Sequence, residues 1–182
     1  MNGYAMVTVL REVEATQIPS GQKIILEQNS QVQIVQALGG SYTVMTDMGY
    51  MARISNENAD ALGKEVKKIK IVDEQGQMRP VEDLIWDQLK TCYDPEIPVN
   101  IVDLGLIYEC KLYDLENGQK RVDIKMTLTA PGCGMGEVLR IDVIEKIKQL
   151  PHIQEVNVEL VWQPQWDRTM MSDAAKLKLG MI

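Results

Sequence analysis

Cys133 has the surroundings that best suit chemistry in this chain. It lies in the segment Thr129–Gly136 (TAPGCGMG), between a run of strand-like alternation and a helix-like apolar stripe. The N-terminus of a helix offers unpaired N–H groups and positive dipole potential, which favour a thiolate. In such settings the pKa of a cysteine falls from about 8.5 to roughly 3.5–7.5. The sequence therefore predicts a nucleophile or a metal ligand. A small thiol buried against the helix is the open alternative.

A predicted hairpin brings a carboxylate to the same place. Asn117-Gly118 is a strong turn signal between two strand-like runs. If these two residues form the turn, paired residues have numbers that sum to about 235. Asp103 then falls within a residue or two of Cys133. The loop with Asp94 and Glu96 enters this end of the strand.

We therefore expect a thiol, the Thr129 hydroxyl and up to three carboxylates to converge at one end of the sheet. A carboxylate beside a thiol raises the pKa of the thiol unless a cation intervenes. Thiolate with carboxylate is more natural around a cation such as iron than in a bare nucleophile. The alternative is structural, because Asp94 could form a turn before Pro95 and Asp103 could cap backbone beside Gly105.

The usual partners of a catalytic cysteine are missing. His152 is the single histidine and follows a proline at the entry to a strand, so it gives weak support to Cys–His catalysis. Cys92 and Cys110 continue apolar patterns and form no CxxC pair, which disfavours a dithiol redox cycle. Arg140 is separated from Cys133 by six residues, where thiol phosphatases have five, so a phosphatase loop is disfavoured.

The elements that would position these residues follow from periodicity. Apolar residues at helical spacing predict a helix from Val81 to Cys92, and a second helix runs to about Gln149 with the stripe Met135, Leu139, Val143, Ile147 and Leu150. Strands are predicted over 104–113 and 121–129, and a third follows Pro151. A short tail helix has Ser172 as its N-cap. This order predicts an α+β fold, α-β-β-α-β-α, with a small mixed or antiparallel sheet and helices on one face.

The first part of the chain has a different pattern. Short β-like runs are separated by turn residues, at 23–27, 32–38, 42–46 and 50–54, and one helical turn ends at Gly63. This predicts a small all-β N-terminal domain over 1–72. Residues 73–80 read as a linker, and 81–182 form the α+β domain.

Composition excludes several classes of protein. The 182 residues carry a net charge of −7 with dispersed basic residues, so a nucleic-acid partner is not expected. No run approaches the roughly 20 apolar residues of a membrane span. The N-terminus lacks the features of a signal peptide. We therefore expect a cytoplasmic protein that does not bind membranes.

Two motifs carry a family resemblance. Residues 94–108 (DPEIPVNIVDLGLIY) followed by residues 127–133 (TLTAPGC) resemble the PaaD/SufT-type iron–sulfur assembly family over about 80–165. The N-terminal β unit and the tail resemble the long SufT branch of that family. The four-cysteine zinc tail of the phenylacetate-oxygenase branch is absent, so zinc is not expected.

The resemblance implies an auxiliary maturation factor rather than an enzyme, which helps to deliver iron–sulfur clusters to client apoproteins. It implies that Cys133 is the reactive cysteine, with Asp94, Glu96, Asp103 and Thr129 in motif positions. Cys133 would be a transient ligand of iron or of a cluster. One motif cysteine per chain implies further ligands from a second chain, a scaffold or carrier, a client or a small thiol, which suggests a homodimer or a bridging complex. A thiol-dependent enzyme and a pure interaction adaptor are the alternatives.

Overall fold

The chain divides into two compact units. A computed structural model describes residues 5–94, 97–132 and 134–182. The two units are Met1–Ile69 and Lys70–Ile182. The predicted domain limits, 1–72 and 81–182 with a linker between them, stay a prediction.

The first unit is an antiparallel β structure. Within its described residues the sheet has the strand order β1-β4-β5-β6-β2-β3. The strands are β1 (Ala5–Thr8), β2 (Val13–Ile18), β3 (Lys23–Leu26), β4 (Gln31–Leu38), β5 (Ser41–Thr46) and β6 (Met51–Ile54). The predicted all-β character is confirmed. Sequence reasoning missed β1 and β2, because Leu10–Glu12 between them contains no glycine, proline or asparagine to signal a turn.

The core of this unit follows from the alternation of inward-facing and outward-facing side chains along its strands. Val32 and Ile34 on β4, Val44 on β5 and Ile54 on β6 point inward and are buried. A 3₁₀ helix, Asn56–Leu62, follows and ends at Gly63, whose φ of 68° is the left-handed conformation that favours glycine. The predicted helical turn ending at Gly63 is thus confirmed.

The second unit is an α+β layer. Its helices are α1 (Val81–Leu89), α2 (Gly136–Lys148) and α3 (Asp173–Lys178), and its strands are β7 (Ile107–Asp114), β8 (Lys120–Met126) and β9 (Ile153–Leu160). In the described part of the unit the strand order is β7-β8-β9, with β7 antiparallel and β9 parallel to β8. The predicted mixed sheet and the order of elements are confirmed.

One face of this sheet is apolar and carries the helices. Ile124 and Val158 are buried on it, and α2 packs against β9 and against α1. The predicted stripe on α2 is confirmed at Leu139, Val143 and Ile147, which are 0–3% exposed. Hydrophobic burial along this stripe sets the place and direction of α2, and hence of the loop that precedes it.

The β7–β8 hairpin differs from the prediction by one residue. Cys110 pairs with Ile124 and Asp114 with Lys120, so the numbers of paired residues sum to 234. The connection also includes Glu116, because the N–H of Leu115 donates to Gln119 O at 2.8 Å. Gly118 has a φ of 78°, which suits the longer loop with a left-handed glycine. The predicted two-residue turn is therefore wrong.

No helix among the described residues is long and apolar enough to cross a membrane.

Candidate functional site

The carboxyl ends of β8 and β9 meet the start of β7 at one edge of the sheet. The N–H of Thr127 donates to Leu106 O at 2.9 Å, and the N–H of Val161 donates to Met126 O at 2.8 Å. Parallel pairing places Leu160 beside Met126. The segments that follow β8 and β9, and the loop that precedes β7, therefore leave the sheet at the same edge.

Two predicted site residues fall outside the described residues. These are Cys133 and Glu96. Around Cys133, Pro131, Gly132 and Gly134 are exposed. Among the described residues, no atom beyond its chain neighbours lies within 4 Å of the position of a Cβ on Gly132, whose φ is 75°. Glycine is needed there for backbone conformation rather than for close packing.

The start of α2 is held tightly against the sheet. A Cβ added to Gly136 would lie 2.7 Å from Leu128 Cδ1 and 3.3 Å from Leu160 Cδ1. The first residue of α2 therefore packs against Leu160, the last residue of β9, and Leu128, two residues after β8. This contact fixes where the loop of residues 129–135 ends. In the first turn of α2, a side-chain hydrogen bond from Arg140 lowers the pKa of Glu137.

Asp94 lies in a buried position before the edge loop. Asp94 is 4% exposed, and its Oδ1 accepts the N–H of Ile97 at 3.2 Å. This contact is the turn that sequence reasoning proposed as the structural alternative. A role of Asp94 in binding stays a prediction.

Asp103 is bonded on both carboxylate oxygens. Its Oδ2 accepts Asn100 Nδ2–H at 2.7 Å, and its Oδ1 accepts the hydroxyl of Ser172 at 3.0 Å. The carbonyl oxygen of Asp103 also accepts the N–H of Ser172 at 2.8 Å. The residue thus ties the loop before β7 to the N-cap of α3. Its role at a binding site stays a prediction.

Thr129 follows β8 at the edge where β7 begins. It is half-buried, in a bend two residues after the Thr127 backbone contact with β7. Its neighbour Ala130 is exposed. The structure therefore brings Thr129 and Asp103 to one edge of the sheet, as the hairpin argument predicted, and the role of Thr129 stays a prediction.

A C-terminal strap, residues 161–175, crosses this edge and was missed by sequence reasoning. Trp166 Nε1–H donates to Leu104 O at 2.7 Å, and the hydroxyl of Tyr108 donates to Pro164 O at 2.7 Å. A Cβ on Gly105 would lie 2.2 Å from Met170 O. The sequence signals for this strap were Gly105 and Tyr108 in the first motif. They were missed because the residues that they contact are distant in sequence.

A buried ammonium joins α2 to the end of α1. Lys146 Nζ donates to Thr91 O at 2.6 Å and lies 3.5 Å from Asp142 Oδ2. Both charged side chains are less than 10% exposed. Thr91 follows α1 and begins the stretch that leads to Asp94. Since a buried charge needs partners, Lys146 fixes the position of this stretch.

The two described cysteines are poorly suited to nucleophilic chemistry. Cys92 is fully buried, and its Sγ–H donates to Gln88 O at 3.6 Å. Burial raises the pKa of the Cys110 thiol to about 11, and Glu82 on α1 contributes to the increase. No group of three or more His, Cys, Asp or Glu that could hold a metal ion occurs among the residues that the structure describes.

Comparison with known proteins identifies the family of this chain. The sequence profile of the family described as "Iron-sulfur cluster assembly protein" matches residues 82–160. A relative from Porphyromonas gingivalis, named "Fe-S protein maturation auxiliary factor", is 40% identical over 101 residues, which are 56% of this chain and 92% of the relative. The chain belongs to the iron–sulfur cluster assembly protein family.

A further relative and a solved structure are also similar to this chain. The "Fe-S protein maturation auxiliary factor SufT" of Staphylococcus aureus is 42% identical over 48% of this chain and 96% of its own length. A crystal structure of a DUF59 domain from Bacillus anthracis is 35% identical, covers 56% of this chain and 93% of its own, and has a TM-score of 0.49. The resemblance stated from the two motifs is confirmed.

The family profile ends before the strap. It spans α1 to β9 and therefore includes both motifs, whereas residues 161–182 and the first unit lie outside the match. The resemblance of these outer parts to the long SufT branch stays a prediction. In this family member, motif residues Asp103, Gly105 and Tyr108 hold a segment that the profile does not cover.

Proposed function

We propose that the protein is an auxiliary factor of iron–sulfur cluster assembly that helps to deliver clusters to client apoproteins through Cys133. The observation that carries this proposal is the 40% identity to a relative named as such a factor, over 92% of its length. The relatives are named as maturation factors rather than as enzymes, which supports a non-enzymatic role. We place this role in the cytoplasm.

In this proposal Cys133 is the transient ligand of iron or of a cluster. The cluster is cargo that passes between a scaffold or carrier and a client, and the site needs no resident cofactor. Cys133 lies in an uncharged segment of ten residues, 127–136, with glycine on either side in the chain. Small neighbours leave room for a cluster and for the backbone of a partner protein.

The other predicted residues shape this site in different ways. Asp94 and Glu96 belong to the acidic loop that enters the edge, and Thr129 lies within the uncharged segment 127–136. Asp103 acts as a positioning residue, because its carboxylate joins the edge loop to the strap at Ser172. Carboxylates near a thiolate favour a bound cation, which fits iron as the cargo.

The test is Cys133→Ala in cells grown under high demand for cluster enzymes. We expect the activity of these cluster enzymes to fall to the level of a strain that lacks the protein. Cys110→Ser is the matched control, because this half-buried thiol has a pKa of about 11 and is not expected to bind cargo.

Two outcomes would contradict this role of the cysteine. Unchanged activity of cluster enzymes in the Cys133→Ala strain, with a defect only on deletion, would favour an interaction adaptor. A low thiol pKa at Cys133 in the purified protein, together with no uptake of iron or cluster under anaerobic conditions, would favour a thiol-dependent enzyme.

A further inference from the structure

The face of the second sheet opposite the helices, which we call the open face, carries a regular pattern of charge. The strand register forms three rungs, each with one residue from β7, β8 and β9 in that order: Glu109, Lys125 and Glu159; Lys111, Asp123 and Asn157; Tyr113, Arg121 and Glu155. Opposite charges meet at most neighbouring positions, which stabilises a sheet. The open face is therefore a lattice of charges that alternate from strand to strand.

The lattice is satisfied within β7 and β8 but not on β9. One carboxylate oxygen of Glu109 lies 2.7 Å from Lys111 Nζ, and the other lies 3.5 Å from Lys125 Nζ. On β9, Glu155 and Glu159 are exposed and form no ion pair within the described part of the chain. The lattice thus ends on two carboxylates that a further strand could pair.

The outer side of β9, which is the side away from β8, also has unpaired backbone. β9 pairs with β8 alone among the described strands. The N–H of Val161 donates to Met126 O, and N–H groups alternate in direction along a strand, so that of Glu159 also points to β8. The N–H and C=O groups of Val156 and Val158 therefore point to the outer side. Such a row of groups is a template for one more strand.

A groove of about 470 Å³ includes this side of β9. It is lined by residues 156–159, by residues of β7 and β8 on the open face, and by Arg140 of α2. Since α2 packs against β9 from the opposite face, the groove extends around the outer side of β9. A strand placed there would have carboxylates beside it on the open face. On the helix face it would have Val156, Val158 and the aliphatic stem of Arg140.

We propose that the outer side of β9 binds an extended segment of a partner protein with basic residues at its first and fifth positions and apolar residues at its second and fourth. The basic residues lie opposite Glu155 and Glu159, and the apolar residues lie beside Val156 and Val158. β8 already presents this pattern to the inner side of β9, in Arg121–Lys125 (RVDIK). The pattern reads the same in both chain directions, so it suits a parallel or an antiparallel strand.

This inference goes beyond the proposed function, because the surface does not include Cys133. A second copy of the chain suits the surface poorly. Antiparallel pairing of two β9 strands about Asn157 would place Glu155 of one copy opposite Glu159 of the other, and like charges directly opposite each other are destabilising. The two carboxylates therefore discourage pairing between copies and favour a basic partner.

The probe is the synthetic peptide acetyl-Ser-Arg-Val-Asn-Ile-Lys-Ser-amide, added to the ¹⁵N-labelled full chain. Without peptide we expect fast amide hydrogen exchange at Val156 and Val158 and slow exchange at Asn157 and Glu159, whose N–H groups point to β8. With about nine-tenths of the chains bound, exchange at Val156 and Val158 should slow about tenfold, because only unbound chains exchange there. Unchanged exchange at millimolar peptide would overturn the inference.

N-methylated peptides distinguish an added strand from a purely ionic contact. In an extended peptide the N–H groups of Val and Ile point to one side, and those of Arg and Asn point to the other. Methylation of one pair should abolish binding, whereas methylation of the other pair should preserve it, and the charges are the same in both peptides. Equal affinity of the two methylated peptides would overturn the inference without any change to the protein.

Variants of the chain test the two carboxylates. The double variant Glu155→Gln, Glu159→Gln should bind the peptide about fivefold more weakly, because two cross-strand charge pairs are lost. The double variant Glu74→Gln, Asp83→Asn is the matched control, since it removes two exposed carboxylates outside the sheet, and it should bind like the wild type. Equal weakening in both variants would overturn the inference.

Occupation by a second copy has its own signature. Slow exchange at Val156 and Val158 without peptide, at a level that depends on protein concentration, would show that copies of the chain pair through this side. That result would overturn the assignment of the outer side of β9 to a basic partner.

Discussion

The fold makes the Cys110 thiol a poor nucleophile by raising its pKa. It lies on the helix-facing side of β7, where burial raises its pKa to about 11 and the carboxylate of Glu82 adds to the effect. At pH 7 only about one such thiol in ten thousand is ionised, and the thiolate is the nucleophile. Together with the burial of Cys92, this leaves Cys133 as the cysteine on which the proposed chemistry depends.

We predict that alkylation of the native protein at pH 7 with iodoacetamide modifies Cys133 and spares Cys110. The rate at Cys110 should rise only as the pH approaches 11, whereas Glu82→Gln should lower the pH at which it rises. Peptide mass spectrometry over a pH series measures both rates. Rapid labelling of Cys110 below pH 9 would contradict this assignment.

The same pKa makes stability depend on pH. The thiol of Cys110 holds its proton more tightly in the folded chain than in the unfolded chain, where its pKa is near 9.0. Its contribution to stability is therefore fully present below pH 9 and is lost as the pH rises toward 11. In Cys110→Ser, denaturant unfolding between pH 8 and 11 should show a smaller loss of stability than in the wild type.

At the scale of elements, the strap and the loop before β7 depend on each other. Ser172 is the N-cap of α3, since its hydroxyl accepts the N–H of Ala175 at 3.1 Å, and it also donates to Asp103. Gly105 lets the carbonyl of Met170 approach at a distance that no side chain allows. The motif residues Asp103 and Gly105 therefore have a structural role in addition to any role in binding.

We predict that Gly105→Ala destabilises the second unit by about 2–4 kcal/mol. The added methyl group would lie 2.2 Å from Met170 O at a φ of 75°, so both steric overlap and backbone strain contribute. Gly118→Ala is the control, because its φ is 78° but no described atom beyond its chain neighbours lies within 4 Å of the added Cβ. It should cost only about 1 kcal/mol from backbone strain.

Denaturant unfolding of both variants measures the difference. The fluorescence of Trp166, which donates to Leu104 beside Gly105, should report release of the strap in Gly105→Ala alone. An equal loss of stability in both variants would show that the contact with Met170 contributes nothing.

At the scale of the whole molecule, the chain consists of two units joined by an exposed basic stretch. Residues 64–68 are exposed, and the stretch 64–70 contains four lysines. The cores on either side are separate sets of buried residues, with Val44 and Ile54 in the first and Leu84 and Ile124 in the second. Exposed backbone between compact units is where proteases act.

We predict that brief trypsin treatment cleaves the native chain within 64–70 about tenfold faster than elsewhere. The products should be two fragments that resist further digestion, each with its own cooperative unfolding transition. Replacement of the four lysines by glutamine should remove this cleavage without changing the unfolding of either unit. Immediate degradation of one fragment would contradict the predicted domain limits, 1–72 and 81–182.

Several features could be predicted because they depend on local periodicity. The alternation on β8, the stripe on α2 and the N-cap at Ser172 are each encoded within a few residues, so the order of elements followed from them. The hairpin register was wrong by one residue, because the loop between β7 and β8 has one residue more than its turn signal indicates. Even so, Asp103 and Thr129 were placed at the correct edge.

The sequence by itself determined the family, the order of elements in the second unit and the uncharged segment 127–136 around Cys133. Each of these features depends on the types of residues that are neighbours in the chain. Only the tertiary structure decided that Asp103 is bonded to Ser172, that Gly105 accommodates Met170 and that Trp162 is exposed at the edge. These contacts join residues more than 60 positions apart or depend on what remains uncovered after packing. Local patterns hold no information about either, since both are properties of the folded chain as a whole.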